Sequence, residues 1–269
     1  MLLISTRESL KNSDEFAAEN SYYLAKYSEG GAVKVAPRTL AAIKKSLKNK
    51  RILLLIHGYN NDFADVARAY NIIERNISSI NHDYDEIVGF TWPGGDHGYE
   101  YHPAKRRSSV AAGRLIDLIS ALKLKCLDVM THSMGTRIVF RALSNRKNDT
   151  SFLIRHHFAT AAAVDDESIE SGERFFDATQ LTEHNWIFHS KKDGVLKYWY
   201  KIGDLDTALG LHGPDDRQAI ERYSKNVKVI NCRHYVESHG AYKNTPELYD
   251  FISDILNGHI PVSRQFFTL

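Results

Sequence analysis

Apolar runs alternate with stretches of helical periodicity along the chain from residue 50 onward. Arg51–Ile56 is almost continuously apolar, which is typical of a strand buried on both faces of a sheet. Asp62–Ile80 then carries apolar residues at helical spacing. The same patterns predict strands over Glu86–Thr91, Cys126–Met130, His157–Ala162, Trp186–His189 and Val227–Cys232, and helices over Lys105–Leu122, Thr136–Leu143 and Glu247–Leu256. This alternation predicts an α/β fold with a doubly wound, mostly parallel sheet and helices on both faces.

Residues 1–269 are expected to form one domain, a normal size for such a fold. Residues 1–50 lie outside the alternation and are expected to supply edge strands. Residues 196–226 form an unusually long connection between two predicted strands. Two interpretations of this segment stay open. It is either a cap whose Tyr198 and Trp199 line a substrate pocket, or a helix packed on the sheet and followed by a surface loop.

The predicted strand Cys126–Met130 runs directly into Thr131-His132-Ser133-Met134-Gly135 and then into a helix. A serine at the tip of a strand-turn-helix unit is typical of a nucleophile elbow with the pattern G-x-S-x-G. The backbone N–H of Met134 would then supply one donor of an oxyanion hole. We interpret His132 as structural. Thr131 stands where the pattern has glycine, and its β-branched side chain is expected to affect the turn.

A serine becomes a good nucleophile only when an adjacent base takes its proton. In folds built around such an elbow, the acid and the histidine follow the serine in that order. Asp193 follows the strand Trp186–His189, and His239 follows the last predicted strand, so we favour them as acid and base. Asp165 and Asp166, one strand earlier, are the competing acids, and Asp165 otherwise shapes the edge of the pocket or caps the short helix that starts near Glu167. His234 is the competing base.

The second oxyanion donor is expected from the loop after an early strand. Gly58 allows a close turn there, so the N–H of Tyr59 is the candidate donor, and His57 is expected to bond the loop and border the pocket. Trp92 ends the next strand. It either forms a wall of the substrate pocket or packs beside the Pro-Gly-Gly turn that follows it.

Composition narrows the functional classes. The formal charge of +2 is too small to indicate a nucleic-acid-binding surface. Without a run of 18 apolar residues, no membrane span is expected. The two cysteines, Cys126 and Cys232, fit small core residues in a reduced, cytoplasmic protein. Asp96–Tyr99 lacks a second ligand pair at zinc spacing, so neither a metal nor an organic cofactor is expected.

Together these segments resemble the α/β-hydrolase superfamily, and more closely a bacterial group of uncharacterised hydrolases, over about residues 50–257. The resemblance is carried by His57-Gly58-Tyr59-Asn60, Thr91-Trp92-Pro93, His132-Ser133-Met134-Gly135, Asp193 and His239. It implies a hydrolase fold with a serine triad and leaves the substrate open. We expect a serine hydrolase that cleaves a small-molecule carboxylic ester through an acyl-enzyme. An amide, thioester or lipid acyl substrate, or a non-catalytic binding module on the same scaffold, are the alternatives.

Overall fold

Ten strands and nine α-helices make up the regular structure of the residues that the computed structural model describes. These are 1–28, 33–124, 126–146, 154–204 and 206–269, without the side chains of Tyr99, Trp199, Lys201 and Ile202. The strands are β1 (Leu2–Arg7), β2 (Phe16–Tyr27), β3 (Val33–Arg38), β4 (Arg51–Ile56), β5 (Glu86–Thr91), β6 (Cys126–His132), β7 (Ile154–Thr160), β8 (Thr182–His189), β9 (Val227–Asn231) and β10 (Phe266–Thr268). The helices are α1 (Leu40–Leu47), α2 (Phe63–Ser79), α3 (Tyr101–Leu122), α4 (Met134–Ser144), α5 (Phe176–Thr179), α6 (Lys201–Asp204), α7 (Leu209–His212), α8 (Arg217–Tyr223) and α9 (Pro246–Leu256).

All ten strands belong to one sheet with the order β10-β9-β8-β7-β6-β4-β5-β1-β2-β3. Every neighbouring pair from β10 to β1 is parallel, and only the β1–β2 and β2–β3 pairs are antiparallel. The predicted mostly parallel α/β sheet is therefore confirmed. Because parallel strands place their carboxyl ends at one edge, the loops after β4, β6, β8 and β9 gather there.

Helices cover both faces of the sheet, as predicted. Alternate residues of β4 divide between two apolar clusters, since successive side chains of a strand point to opposite faces. Ile52, Leu54 and Ile56 pack with α1, α3 and α4, whereas Leu53 and Leu55 pack with α2 and α9. No helix in the described ranges combines the length and apolarity needed to cross a membrane.

Several boundaries differ from the sequence-based expectations. The helix α3 begins at Tyr101, four residues earlier than predicted, with Pro103 in its first turn, where a missing N–H costs no helical hydrogen bond. The strand β1 lies inside the sheet between β5 and β2, so β3 alone forms that edge. At the opposite edge, β10 pairs with β9 over three residues. So short a strand leaves no periodic pattern to recognise.

A buried ion network anchors β6 at the end of the sheet opposite Ser133. The Asp128 carboxylate is fully buried. It accepts hydrogen bonds from Arg155 Nε at 3.0 Å and Nη2 at 2.7 Å, and from the Tyr84 hydroxyl at 2.8 Å. Arg155 also pairs with Asp83, at 2.8 Å. Hydrogen bonding to Arg155 lowers the pKa of Asp83. This network ties β6 to β7 and to the start of β5.

Replacing Asp128 with alanine is expected to lower the free energy of unfolding by about 3 kcal/mol, because Arg155 and Tyr84 lose a buried partner. Urea denaturation followed by circular dichroism measures this change. The control is Arg68→Ala, which removes an exposed pair with Asp65 on α2 and should cost less than about 0.5 kcal/mol. Equal stability of the two variants would show that the network does not hold β6 in place.

Candidate active site

Ser133 occupies the sharp turn between β6 and α4. Its φ of 55° and ψ of −123° are unusual for a residue with a side chain. The Ser133 N–H donates to the Thr160 carbonyl at 3.0 Å, and the Ser133 carbonyl accepts from the Thr136 N–H at 3.0 Å. These bonds fix the turn so that the serine side chain points away from the strand. This is the geometry of a nucleophile elbow.

Two glycines allow the backbone to come together around the elbow. A Cβ atom on Gly135 would lie 2.5 Å from the carbonyl oxygen of Ile56, and a Cβ atom on Gly58 would lie 2.8 Å from the Ser133 Cβ. Real Cβ atoms do not approach other atoms so closely. The end of β4, the serine and the start of α4 can therefore meet only because positions 58 and 135 lack side chains.

Thr131 fits this turn in place of the usual glycine. Its side chain is buried, and Oγ1 lies 2.9 Å from Thr136 Oγ1 and 3.0 Å from His157 Nε2. Burial lowers the pKa of His157 to about 3, so its ring is neutral at physiological pH. The hydroxyl of Thr131 therefore has polar partners, and Ser133 adopts the elbow conformation with threonine at this position.

Asp193 and His239 meet at the edge of the sheet that carries Ser133. Asp193 lies in the turn after β8 with its carboxylate fully buried, and His239 Nδ1 is 2.7 Å from Asp193 Oδ2. The other carboxylate oxygen accepts the N–H of Leu196 at 3.0 Å and caps the following helical turn. Because a carboxylate only accepts, Nδ1 carries the proton and Nε2 is left free to act as a base.

Ser133 and His239 line the same cavity. Among the described residues, no direct hydrogen bond joins the Ser133 hydroxyl to the His239 ring. Hydrogen bonds between a nucleophile and its base are often long without substrate and shorten in the complex. His234, the competing base, makes a weak contact at 3.4 Å with the side chain of neighbouring Arg233 and does not line the cavity.

His132 connects the elbow to the loop that carries His239. Its Nε2 lies 2.8 Å from the His239 carbonyl oxygen, and the centroids of the two imidazole rings are 4.5 Å apart. Burial, followed by the charge of a protonated His239, lowers the pKa of His132 to about 3. The neutral ring must donate from Nε2, since a carbonyl only accepts. His132 thereby fixes the backbone of His239 relative to Ser133.

The two predicted oxyanion donors are without acceptors. Among the hydrogen bonds of the described residues, none uses the backbone N–H of Tyr59 or of Met134. Met134 is the first residue of α4, where N–H groups have no partner within the helix. The Tyr59 loop is held by the next two residues, since Asn60 and Asn61 donate to the carbonyls of Gly94 and Gly95.

His57 and Trp92 hold the loop that carries Tyr59 in place. The backbone N–H of Trp92 donates to His57 Nε2 at 3.2 Å, so Nε2 is unprotonated. The His57 Nδ1–H then donates to the Gly58 carbonyl at 2.7 Å. The two rings stack with centroids 5.7 Å apart. Burial lowers the pKa of His57 well below its usual value, which keeps the ring neutral. Trp92 is fully buried and packs behind the cavity, so it does not form its wall.

Arg7 is a supporting residue that sequence reasoning missed. It is only 1% exposed, and its Nε donates to Thr91 Oγ1 at 2.9 Å and its Nη2 to the Asn61 carbonyl at 2.9 Å. The same Thr91 hydroxyl lies 3.1 Å from His57 Nε2. Burial lowers the pKa of Arg7 to about 10. The sequence signal for this supporting role is an arginine at the end of the mostly apolar segment that forms β1.

The cavity above Ser133 has a volume of about 270 Å³ and mostly apolar walls. His57, His132, Met134 and Tyr59 all line it. Its apolar walls come from β4, β6, α2, the loop after β7 and the helical turn after Asp193. The residues are Leu55, Ile56, Ala69, Tyr70, Ile73, Met130, Ala163, Val195, Leu196 and Tyr200.

The segment 196–226 contributes in part to this cavity. Leu196 and Tyr200 line it, whereas Tyr198 is 61% exposed and lies outside it. The side chain of Trp199 lies outside the described residues. Asp165 does not reach the cavity and instead accepts the Tyr200 hydroxyl at 2.6 Å. Further along, α7 packs on the sheet edge, where the Gly210 N–H donates to the Ala162 carbonyl. The segment thus combines a cavity wall with a part packed on the sheet.

Two clusters of three acidic residues in the described chain have carboxylates close enough together to hold a metal ion. One cluster is Asp14, Asp96 and Glu100, and the other is Asp166, Glu167 and Asp206. Burial, followed by the neighbouring Glu167, raises the pKa of Asp166 to about 7. Neither group contains a residue that lines the cavity around Ser133.

Several known proteins are similar to this chain in sequence or in structure. The chain is 20% identical to an uncharacterised protein of Nostoc sp. strain PCC 7120, over 77% of this chain and 74% of that protein. Among solved structures, it is similar to a protein described as a predicted CIB-like hydrolase from Thermoplasma acidophilum (TM-score 0.46, 16% identity, 88% and 99% of the two chains). It is also similar to the esterase Pf2001 of Pyrococcus furiosus (TM-score 0.46, 12% identity, 88% and 92%).

A family model gives the assignment. The family described as alpha/beta hydrolase of unknown function (DUF900) matches residues 36–255, which is most of the 269-residue chain. The matched range contains the elbow, the turn with Asp193 and the loop with His239. The chain therefore belongs to this family of α/β hydrolases.

Proposed function

We propose that this protein is a serine hydrolase that cleaves carboxylic esters of small molecules with Ser133, His239 and Asp193 as its catalytic triad. The observation that carries the proposal is the 2.7 Å hydrogen bond from His239 Nδ1 to a fully buried Asp193, beside a serine in the elbow conformation. A structural histidine would not need a buried carboxylate and a neighbouring strained serine at once.

In this mechanism, His239 Nε2 takes the proton of Ser133 as the serine oxygen attacks the ester carbonyl. Asp193 stabilises the imidazolium that forms and keeps the ring oriented. The N–H groups of Tyr59 and Met134 donate to the oxyanion, where they act as preorganised dipoles. His239 then protonates the leaving alcohol. Water attacks the acyl-enzyme with His239 as base, releasing the acid and restoring Ser133.

The cavity supports a small substrate. A volume of about 270 Å³ is at the lower end of the range for small-molecule sites, and its inner walls are aliphatic and aromatic. These walls favour a compact apolar acyl group over a long lipid chain. The N–H groups of Tyr59 and Met134, which have no partner among the described residues, can both donate to an oxyanion, and this supports an acyl-transfer enzyme.

Ser133→Ala is expected to lower kcat for para-nitrophenyl acetate by about 10⁴-fold or more, because the nucleophile is lost. His239→Ala should lose a similar factor. Asp193→Asn should also lose about 10⁴-fold, because the amide favours the wrong histidine tautomer. Covalent labelling with a fluorophosphonate probe, detected by intact-protein mass spectrometry, should occur in the wild type and disappear in Ser133→Ala.

The matched control for these variants is His234→Ala, which removes an exposed histidine of the same loop outside the cavity. It should keep wild-type turnover and labelling. Thermal unfolding of every variant separates a lost catalytic group from a lost fold. Retained turnover in folded Ser133→Ala, or no labelling of folded wild type, would overturn the proposal.

His132→Ala is expected to lower kcat about tenfold with little change in KM, because the His239 loop loses the hydrogen bond that positions it. His132→Gln, whose amide N–H can donate, should recover part of the loss. Steady-state kinetics with para-nitrophenyl acetate measures both variants, and the fluorophosphonate labelling rate should follow kcat. Equal kcat in His132→Ala and wild type would show that this hydrogen bond does not position the base.

A further inference from the structure

The cavity around Ser133 contains one permanently charged side chain. Among the described residues that line it, Lys243 is the only lysine or arginine, and none is an aspartate or glutamate. The other polar groups are hydroxyls, amides, backbone groups and the three histidines. A single cation in a cleft with apolar walls acts on a ligand more strongly than the same cation on an open surface, because the walls focus its field.

Lys243 is held in a fixed place near the base. It belongs to the 3₁₀ turn Ala241–Asn244, which directly follows His239 and Gly240. Its backbone carbonyl accepts from Asn76 Nδ2 at 2.8 Å and from the Tyr249 hydroxyl at 3.0 Å. The turn is therefore fastened to both α2 and α9, so the lysine backbone cannot move away from the cavity without breaking these bonds.

The Lys243 ammonium retains donors for a ligand. Its Nζ donates to the Gly240 carbonyl at 3.1 Å, and within the described residues it makes no ion pair. An ammonium has three donors, so this contact leaves two of them available. The nearest acidic residue of this loop, Glu237, pairs with Lys192 at 3.2 Å on the exposed surface.

Lys243 stands where the cavity meets the surface. Together with Gly240 it also lines a shallow groove that includes Tyr235, Glu237 and Ser238. A substrate whose acyl group enters the apolar interior therefore has its alcohol portion near this mouth. His239, which would protonate the leaving oxygen, lies four residues before Lys243 in the same loop. The positive charge is thus on the side of the leaving group.

We propose that Lys243 determines specificity by binding a carboxylate on the alcohol portion of the ester, so that the preferred substrates are esters of hydroxy acids with a small apolar acyl group. This inference rests on the proposed hydrolase function and narrows its substrate class. The carboxylate takes the free donors of the ammonium at the mouth. The acyl group contacts the aliphatic and aromatic walls inside.

The test compares two esters of similar size, para-acetoxybenzoate, which carries a carboxylate, and para-acetoxybenzamide, which carries a neutral amide. The measured quantity is the ratio of kcat/KM for the anionic ester to kcat/KM for the neutral one. Lys243→Met is expected to lower this ratio about tenfold relative to wild type, and Lys243→Glu should lower it further. Comparing ratios between variants cancels the intrinsic reactivities of the two esters. Added salt should lower the ratio in wild type and have less effect in Lys243→Met.

Lys191→Met is the matched control, because it removes an exposed lysine of the loop after β8 that does not line the cavity. It should keep the wild-type ratio. A second measurement needs no turnover: para-hydroxybenzoate should slow fluorophosphonate labelling of wild type more than para-hydroxybenzamide does, and this difference should vanish in Lys243→Met. Labelled wild type with the same ratio and protection as Lys243→Met overturns the role of Lys243 alone. Folded wild type that is not labelled overturns the hydrolase function instead.

Discussion

The site depends on the backbone conformation of one residue, Ser133. A positive φ for a residue with a side chain is unfavourable by about 1–3 kcal/mol, so neighbouring contacts must hold it. The Ser133 carbonyl accepts from the N–H groups of Thr136 and Ala163, and its own N–H donates to Thr160 on the adjacent strand. Gly58 and Gly135 permit the close approach of three chain segments. The same turn places Ser133 at the wall of the cavity, and among the described residues the Met134 N–H has no hydrogen-bond partner.

Asp193 and His239, the proposed acid and base, are fixed relative to each other by hydrogen bonds between their loops. The Cys232 N–H donates to the His189 carbonyl at 2.8 Å, and Ser190 Oγ donates to the Val236 carbonyl at 2.7 Å. These bonds join the loop after β8, which carries Asp193, to the loop after β9, which carries His239. The distance between the two side chains is therefore set by the sheet and its loops, which is what preorganised catalysis requires.

Sequence patterns predicted the strands and helices whose apolar residues recur at regular spacing. The strands β4 and β5 and the body of α2 were predicted almost to the residue, because buried strands and amphipathic helices leave long periodic patterns. The order of Ser133, Asp193 and His239 along the chain followed from strand-turn positions, and the structure brings the last two into contact. Their catalytic roles remain proposals.

Other features depend on contacts between distant residues and leave no local pattern. One interpretation placed Tyr198 in the pocket, but Tyr198 is exposed, and Tyr200, from the same π-helical turn Leu196–Tyr200, is the tyrosine of this segment that lines the cavity. The hydroxyl of Thr131 is accommodated by His157, which lies 26 residues away in the sequence. Arg7 reaches Asn61 only because β1 inserts beside β5.

The contrast between Arg7 and Lys243 shows how a positive charge can be structural in one place and available in another. The Arg7 guanidinium is buried, and it donates through Nε to Thr91, through Nη1 to Ser13 and through Nη2 to Asn61. Its Nη1 also donates to the Asn12 carbonyl, so four of its five donors are engaged, and the side chain is only 1% exposed. It therefore stabilises the loop after β4 and cannot reach a ligand. Lys243 is half-buried at the mouth and uses one donor on a backbone carbonyl. The two cations therefore differ in their burial and in the number of hydrogen-bond donors left unused. These two properties, rather than charge alone, distinguish a cation that stabilises the site from one that is available to bind a substrate.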